Sequence, residues 1–219
     1  KILFVTNSIW NIDNFRKPLI LNFLEKKNLV YIIAPNDNSY KFKIKHKNLK
    51  VISINFSQNS YFNFNYFIFF FKLFNFLKKN KPHYVLSFTV KPNLICSFLS
   101  KFFKFKSICN ITGLGTLFLR GKIIKIIALY LYKFSIRNSF FIFFHNRDDK
   151  KLFLKKNIVY EKKCDLIPGS GVNLDYFSYN EKKYSKKHTL NFLYLGRIIK
   201  DKGIIEYLNA ISEIKKNNY

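Results

Sequence analysis

Methionine is absent from this 219-residue chain, the initiator included, so the sequence is expected to begin just after it. Cysteine occurs three times, at Cys96, Cys109 and Cys164. That spacing matches no metal-binding or thiol-redox motif, and an odd count with two members inside apolar runs fits buried, reduced thiols of a cytoplasmic protein. Acidic residues number 12 against 39 Lys and Arg, which leaves a formal net charge of +27. Arginine supplies only five of the 39, at Arg16, Arg120, Arg137, Arg147 and Arg197. Surfaces that read phosphates and bases lean on the arginine fork. No nucleic-acid-binding motif accompanies the charge either, so a nucleic-acid binder is the weakest reading of it. The lysines come with 27 Phe, 14 Tyr and abundant Ile and Asn, all with AT-rich codons, and genome composition explains much of the charge. What remains is a basic surface with an attraction for phosphate head groups.

Other absences narrow the class further. No G-x-G-x-x-G follows the first apolar run, Lys1 to Thr6, which argues against a dinucleotide-dependent oxidoreductase. That run starts directly as a strand, so no signal peptide is expected. The most apolar helix candidate, Tyr61 to Leu77, falls short of the usual membrane span and carries Lys72 and several Asn, so a transmembrane helix is not expected. Two readings stay open for it. It is either a core helix, or a helix whose surplus Phe face lies in a bilayer interface, flanked by Lys78, Lys79 and Lys81. Lys122 to Ile136, also apolar with spaced lysines, carries the same ambiguity.

What is present reads as alternating strands and helices of an α/β domain with a Rossmann-like parallel sheet. Lys1 to Thr6, Leu29 to Ala34, Leu49 to Ile54, Val85 to Phe88, Ser107 to Ile111, Ser139 to Phe144 and Cys164 to Pro168 are the strand candidates. Helices are expected from Asp13 to Lys27, with Asp13 or Asn14 as N-cap, from the Thr89–Asn93 turn to about Phe103, and from Asp148 to Lys156. In such a sheet the polar loops after successive strands share one edge, where open α/β sheets bind ligands. Lys91 and Asn93 lie in one such loop, Thr112, Gly113 and Gly115 in the next, Asn146 and Asp148 in a third, and Gly171 after the last strand. Glycines admit close backbone approach to an anion and Lys91 adds a charge. Pro-Asn and Gly-x-Gly are also ordinary turn chemistry, and spacing alone does not separate the two readings. Asn173 to Thr189 is polar and Lys-rich, an interdomain linker by composition. Leu190 to Leu195 then reads as a strand, Gly196 to Gly203 as a loop containing Arg197 and Lys202, and Ile204 to Lys215 as a helix: the first β-α unit of a second Rossmann-like domain, 190–219, that has only begun.

Taken together, the FR-containing helix, SFTVKPN, ITGLGTLF, FFHNRDDKKLF, IPGSGVNLDYF and FLYLGRIIKDKGIIEYL resemble family 4 of the retaining glycosyltransferases, over essentially the whole chain. More narrowly they are similar to bacterial enzymes that extend polyprenyl-diphosphate-linked saccharides for O-antigen, capsule or glycoprotein glycans, undecaprenyl-diphospho-sugar α-1,3-N-acetylgalactosaminyltransferases among them. The resemblance implies the GT-B fold, two Rossmann-like domains across a cleft, with residues 1–172 on the acceptor side. It implies a UDP-sugar donor, a lipid-linked saccharide acceptor, no cofactor or metal, no nucleic acid, and a location on the inner face of the cytoplasmic membrane. Arg197 and Lys202 map to the loop that holds the departing donor diphosphate. Lys91, Asn93, Thr112, Gly113, Gly115, Asn146 and Asp148 map to the acceptor-side cleft, and Gly171 to the crossing between domains.

Two departures qualify the match. Thr112 stands where many members of the wider family have a histidine, and the family's Glu-x7-Glu segment would lie beyond Tyr219. The chain alone is therefore expected to be inactive and to need a donor-side half, on the same gene or in a separate partner. Competing readings are a docking module for membrane or partner, and a GT-B sugar-nucleotide epimerase.

Overall fold

The computed structural model describes residues 1–35, 42–54, 65–114, 122–179 and 191–216. Seven parallel strands form one sheet: β1 (Ile2–Val5), β2 (Val30–Ala34), β3 (Leu49–Ser53), β4 (Tyr84–Phe88), β5 (Lys106–Ile111), β6 (Phe141–Phe144) and β7 (Cys164–Leu166). Their spatial order is β3-β2-β1-β4-β5-β6-β7, with every neighbouring pair parallel. All four residues of β1 and all five of β2 are buried, as continuous apolar runs require when both sheet faces are covered.

The helices divide between the two faces according to the direction in which the chain winds. From β1 it runs outward to β2, and helices α1 (Ile9–Phe15) and α2 (Lys17–Glu25) pack Ile12, Ile20 and Leu24 against Phe4, Ile32 and Phe88. From β4 it runs the other way, and α3 (Asn65–Asn80) and α4 (Val90–Leu99) cover the opposite face, with Leu73, Leu77, Cys96 and Leu99 on Leu3, Val5 and Val85. Helices α5 (Lys122–Ile136) and α6 (Arg147–Lys155) extend that layer over β5 to β7. Right-handed crossovers demand this division. It makes the gap between β1 and β4 the point where strand order reverses, the place at the carboxyl edge where open α/β sheets bind ligands.

Where α4 meets β5 the contact is close and partly polar. Ser97 Oγ lies 2.9 Å from Cys109 Sγ and 2.8 Å from Ser139 Oγ, all fully buried or nearly so. All three cysteines are free and buried, as their spacing suggested.

Local structure departs from the sequence expectation in four places. The first helix is two helices: Ser8 is the N-cap, accepting from the Asn11 N–H at 3.4 Å, and the chain breaks at Arg16 because Pro18, in the first turn of α2, cannot continue α1. Asp13 and Asn14, expected as caps, lie inside α1. Helix α4 starts at Val90, so Lys91, Pro92 and Asn93 form its first turn rather than a loop, and it ends at Leu99, short of Phe103. Helix α3 continues to Asn80; residues 61–64 lie outside the described set. Residues 191–195 form no strand, since a strand exists only with a ladder partner beside it, and Leu190 falls outside the described residues.

The open question about α3 and α5 receives a mixed answer. Each buries one stripe, Phe69, Leu73 and Leu77 in α3 and Ala128, Tyr132 and Ile136 in α5. Each also leaves apolar side chains in solvent: Phe67 and Phe71 on α3, and on α5 Ile123, Ile127, Tyr130 and Phe134, all more than half exposed. Among the described residues no helix is long and apolar enough to cross a membrane.

The chain divides into two compact units, Lys1–Asn173 and Leu174–Tyr219. In the second, α7 (Ile204–Lys216) follows a 3-10 turn at Lys200–Lys202, and none of its described residues is buried.

Candidate functional site

The carboxyl edge of the first unit is built by the segments that follow β1, β4, β5, β6 and β7. After β4, Thr89 has φ 72 and ψ 163, a conformation that β-branched residues rarely adopt and that marks strain held by the surroundings. This lets α4 begin directly at Val90. Lys91 is half-buried, and burial lowers its ammonium pKa below the usual lysine value. Asn93 is fully buried, and its Nδ2 donates to the Asn110 carbonyl at 2.8 Å, tying α4 to β5. Its Oδ1 has no hydrogen-bond partner. Asn93 is thus a strut as well as a candidate ligand. Asn93→Ala is expected to destabilise the fold by about 1–3 kcal/mol through the orphaned buried partner, read from urea unfolding.

After β5, Thr112 is exposed and Gly113 half-buried, while Gly115 lies outside the described residues. After β6, Asn146 caps α6: its Oδ1 accepts from the Asp149 N–H at 2.8 Å and its Nδ2 donates to Asp149 Oδ2 at 2.7 Å. Desolvation raises the Asp149 pKa, opposed by that hydrogen bond. Asp148 is exposed in the same first turn, where a carboxylate suits the helix dipole. His145 is half-buried, its Nε2 lacks a partner, and burial followed by the Arg16 charge pushes its pKa down, so the ring is neutral near pH 7.

Sequence reasoning gave no role to Arg16, which sits at the α1–α2 break. It is 7% exposed, its guanidinium lies 4.4 Å above the Phe88 ring, and Nη1 donates to Ser170 Oγ at 2.7 Å. Ser170 lies between Gly169 and Gly171, both at positive φ, in the chain that returns across the edge after β7. The signal available was the conspicuous Arg in the first helix; its burial depends on a contact 154 positions away.

Of the sequence-predicted site residues, Lys91, Asn93, Thr112, Gly113, Asn146, Asp148 and Gly171 therefore gather along one edge of the first unit. Arg197 and Lys202 belong to the second. There the Tyr194 hydroxyl lies 2.9 Å from the Arg197 carbonyl and 3.2 Å from the Lys202 carbonyl, close enough to donate to either, so the loop is pinned by its backbone while both cationic side chains stay exposed. Gly203, at φ 76, closes the turn in the left-handed region and delivers the chain into α7. Among the described residues no group of three or more His, Cys, Asp or Glu could hold a metal ion.

A family model described as glycosyl transferase 4-like matches residues 1–146, which contain β1 to β6 and the edge segments up to Asn146. The chain belongs to the glycosyl transferase 4-like family. Among its relatives, the N,N'-diacetylbacillosaminyl-diphospho-undecaprenol alpha-1,3-N-acetylgalactosaminyltransferase of Campylobacter jejuni is 26% identical over 98% of this chain. The alignment covers 61% of that protein, so the glycosyl transferase 4-like chain spans under two thirds of its relative's length. Solved structures share the fold: a sucrose-phosphate synthase from Thermosynechococcus elongatus (TM-score 0.56, 12% identity, 80% of this chain and 49% of that one). A UDP-N-acetylglucosamine 2-epimerase from Rickettsia bellii is comparably similar (0.54, 11%, 77% and 44%). Anabaena HepE, solved in complex with UDP, is similar to the same degree (0.53, 11%, 83% and 47%).

Proposed function

We propose that this chain is part of a retaining glycosyltransferase that moves an N-acetylhexosamine from a UDP-sugar to a polyprenyl-diphosphate-linked saccharide in surface glycan synthesis. The observation that carries the reading is the concentration of the motif loops along the switch-point edge of a glycosyl transferase 4-like unit. In this reading the first unit holds the acceptor, through Lys91, Asn93, Thr112, Gly113, Gly115, Asn146 and Asp148, and Gly171 marks the crossing toward the second. Arg197 and Lys202 hold the donor diphosphate. Positive side chains and a helix start supply the charge stabilisation that a departing diphosphate needs, so no metal or cofactor is required. The Campylobacter relative's name supplies the acceptor class, and HepE's bound UDP the donor class.

The test joins the chain to the remaining donor-side segment of the Campylobacter relative and measures transfer from UDP-N-acetylgalactosamine to a lipid-diphosphate-linked saccharide. Transfer with retained anomeric configuration supports the proposal. Epimerisation of the UDP-sugar in place of transfer would move the chain to the epimerase class.

The same reading places the protein at the inner face of the cytoplasmic membrane. The exposed Ile123, Ile127, Tyr130 and Phe134 recur at helical spacing along α5, with Lys125 and Lys133 among them. Beside this stripe an open groove of about 480 Å³ is lined by Lys101, Lys133 and Arg137 together with Tyr130 and Phe134. Cations bordering an apolar face match an anionic lipid surface. The protein is expected to sediment with vesicles containing phosphatidylglycerol and to be released by Ile127→Glu. Failure to sediment at low salt removes the interfacial role of α5 and leaves the transferase reading standing.

A further inference from the structure

Among the described residues, Arg16 is a cation with no carboxylate partner. The residue is only 7% exposed, yet no salt bridge between Arg16 and a carboxylate is formed among the described residues. Nε has no hydrogen-bond partner, and Nη1 has only neutral ones, the Ser170 hydroxyl at 2.7 Å and the Phe15 carbonyl at 3.5 Å. Two neutral acceptors, one of them at 3.5 Å, and the Phe88 ring face do not offset the desolvation of a charge that a fold normally pairs. Burial alone lowers its pKa, to about 10, so it remains charged at pH 7.

Its position gives that charge a direction. Arg16 lies over Phe88, at the carboxyl end of β4, where strand order reverses. Thr6, fully buried with an unpartnered Oγ1, comes directly after Val5, whose β4 partner is Ser87, so Thr6 stands abreast of Phe88 on the next strand. A forked cation, an unpartnered hydroxyl and the Ser170 hydroxyl thus converge on the edge where open sheets receive ligands. A guanidinium fork matches two phosphate oxygens better than any single-point acceptor does.

We propose that Arg16 is the centre of an anion subsite in the first unit that holds the diphosphate of a substrate. The identity of the anion as a diphosphate rests on the transferase reading; the existence of the subsite does not. Two sources carry this chemistry, the lipid-linked acceptor and the nucleotide of the donor.

The test is isothermal titration of the full chain at about 0.15 M salt, where long-range surface attraction is screened. Inorganic diphosphate, geranyl diphosphate and UDP are titrated into wild type, Arg16→Lys and Arg16→Gln, and melting is recorded without ligand. Removing one of 39 cationic side chains leaves non-specific attraction intact. The expected result is binding of at least one diphosphate, weakened at least tenfold by Arg16→Gln and by less in Arg16→Lys, with a melting temperature for Arg16→Gln equal to or above wild type. Geranyl diphosphate binding tighter than UDP assigns the subsite to the acceptor, and the reverse assigns it to the donor. No binding by wild type, unchanged binding by Arg16→Gln, or a glutamine variant that melts lower or fails to fold would each make Arg16 a strut for the Ser170 loop. Diphosphate binding by the chain, with no sugar transfer by its form joined to the donor-side segment, would sink the transferase reading and keep the subsite.

Discussion

In the joined transferase, Arg197→Ala is expected to lower sugar transfer by about 10²–10³-fold, the usual loss when one preorganised charge partner of a transition state is removed. The side chain is exposed, and the loop is anchored through its Tyr194-contacted carbonyls, so the substitution leaves the local backbone as it is. Negative charge grows on the leaving diphosphate as the glycosidic bond breaks, so the lost interaction is stronger in the transition state than in the ground state. The decrease should therefore fall mainly on kcat, with a smaller rise in KM for the UDP-sugar. Arg197→Lys keeps the charge without the fork and should recover part of the rate. Equal rates for Arg197→Ala and wild type would remove this loop from the donor site.

Phe153→Ala is expected to cost about 3–5 kcal/mol of folding stability, the range for emptying a fully buried aromatic position. Phe153 is the only buried residue of α6, with edge-on rings at 5.0 Å (Tyr132) and 5.3 Å (Phe144). Each aromatic pair adds about 0.5–1.5 kcal/mol beyond burial. Such a loss is a large share of the roughly 5–15 kcal/mol that holds a typical domain together. Urea unfolding should show a lower midpoint with an unchanged slope. A loss below about 1 kcal/mol would mean that α6, and with it the Asn146 and Asp148 loop, is held by something other than this side chain.

The strands were legible in the sequence because parallel strands covered on both faces must be continuous apolar runs, and Lys1 to Thr6, Leu29 to Ala34 and Val85 to Phe88 are such runs. The Rossmann-like class came from their alternation with helices. The α1–α2 break was written in Pro18, but the periodicity of apolar residues passes through it unbroken and hides it. Residues 191–195 have strand composition without a strand, since pairing is a property of neighbours and not of a segment. Along the carboxyl edge, turn composition was enough to place Lys91, Thr112 and Asn146 just beyond the ends of their strands. It could not mark Arg16, whose burial comes from Phe88 and Ser170, far away in the chain, nor show that Asn93 is partly occupied in holding β5.

The strand order also has a consequence for how this chain comes into being. Ile2 lies between Val30 and Tyr84, so the centre of the sheet waits for a partner 82 positions downstream. At roughly 5–20 residues per second of synthesis, that wait is about 4–16 s, during which the β1 segment has at most one neighbour. Closing such a long loop before any reward is the slow step in parallel sheets. During that interval the nascent chain already displays the Phe-rich α3 segment, so its yield in the cell is set by what shields these stretches at the ribosome as much as by the final fold.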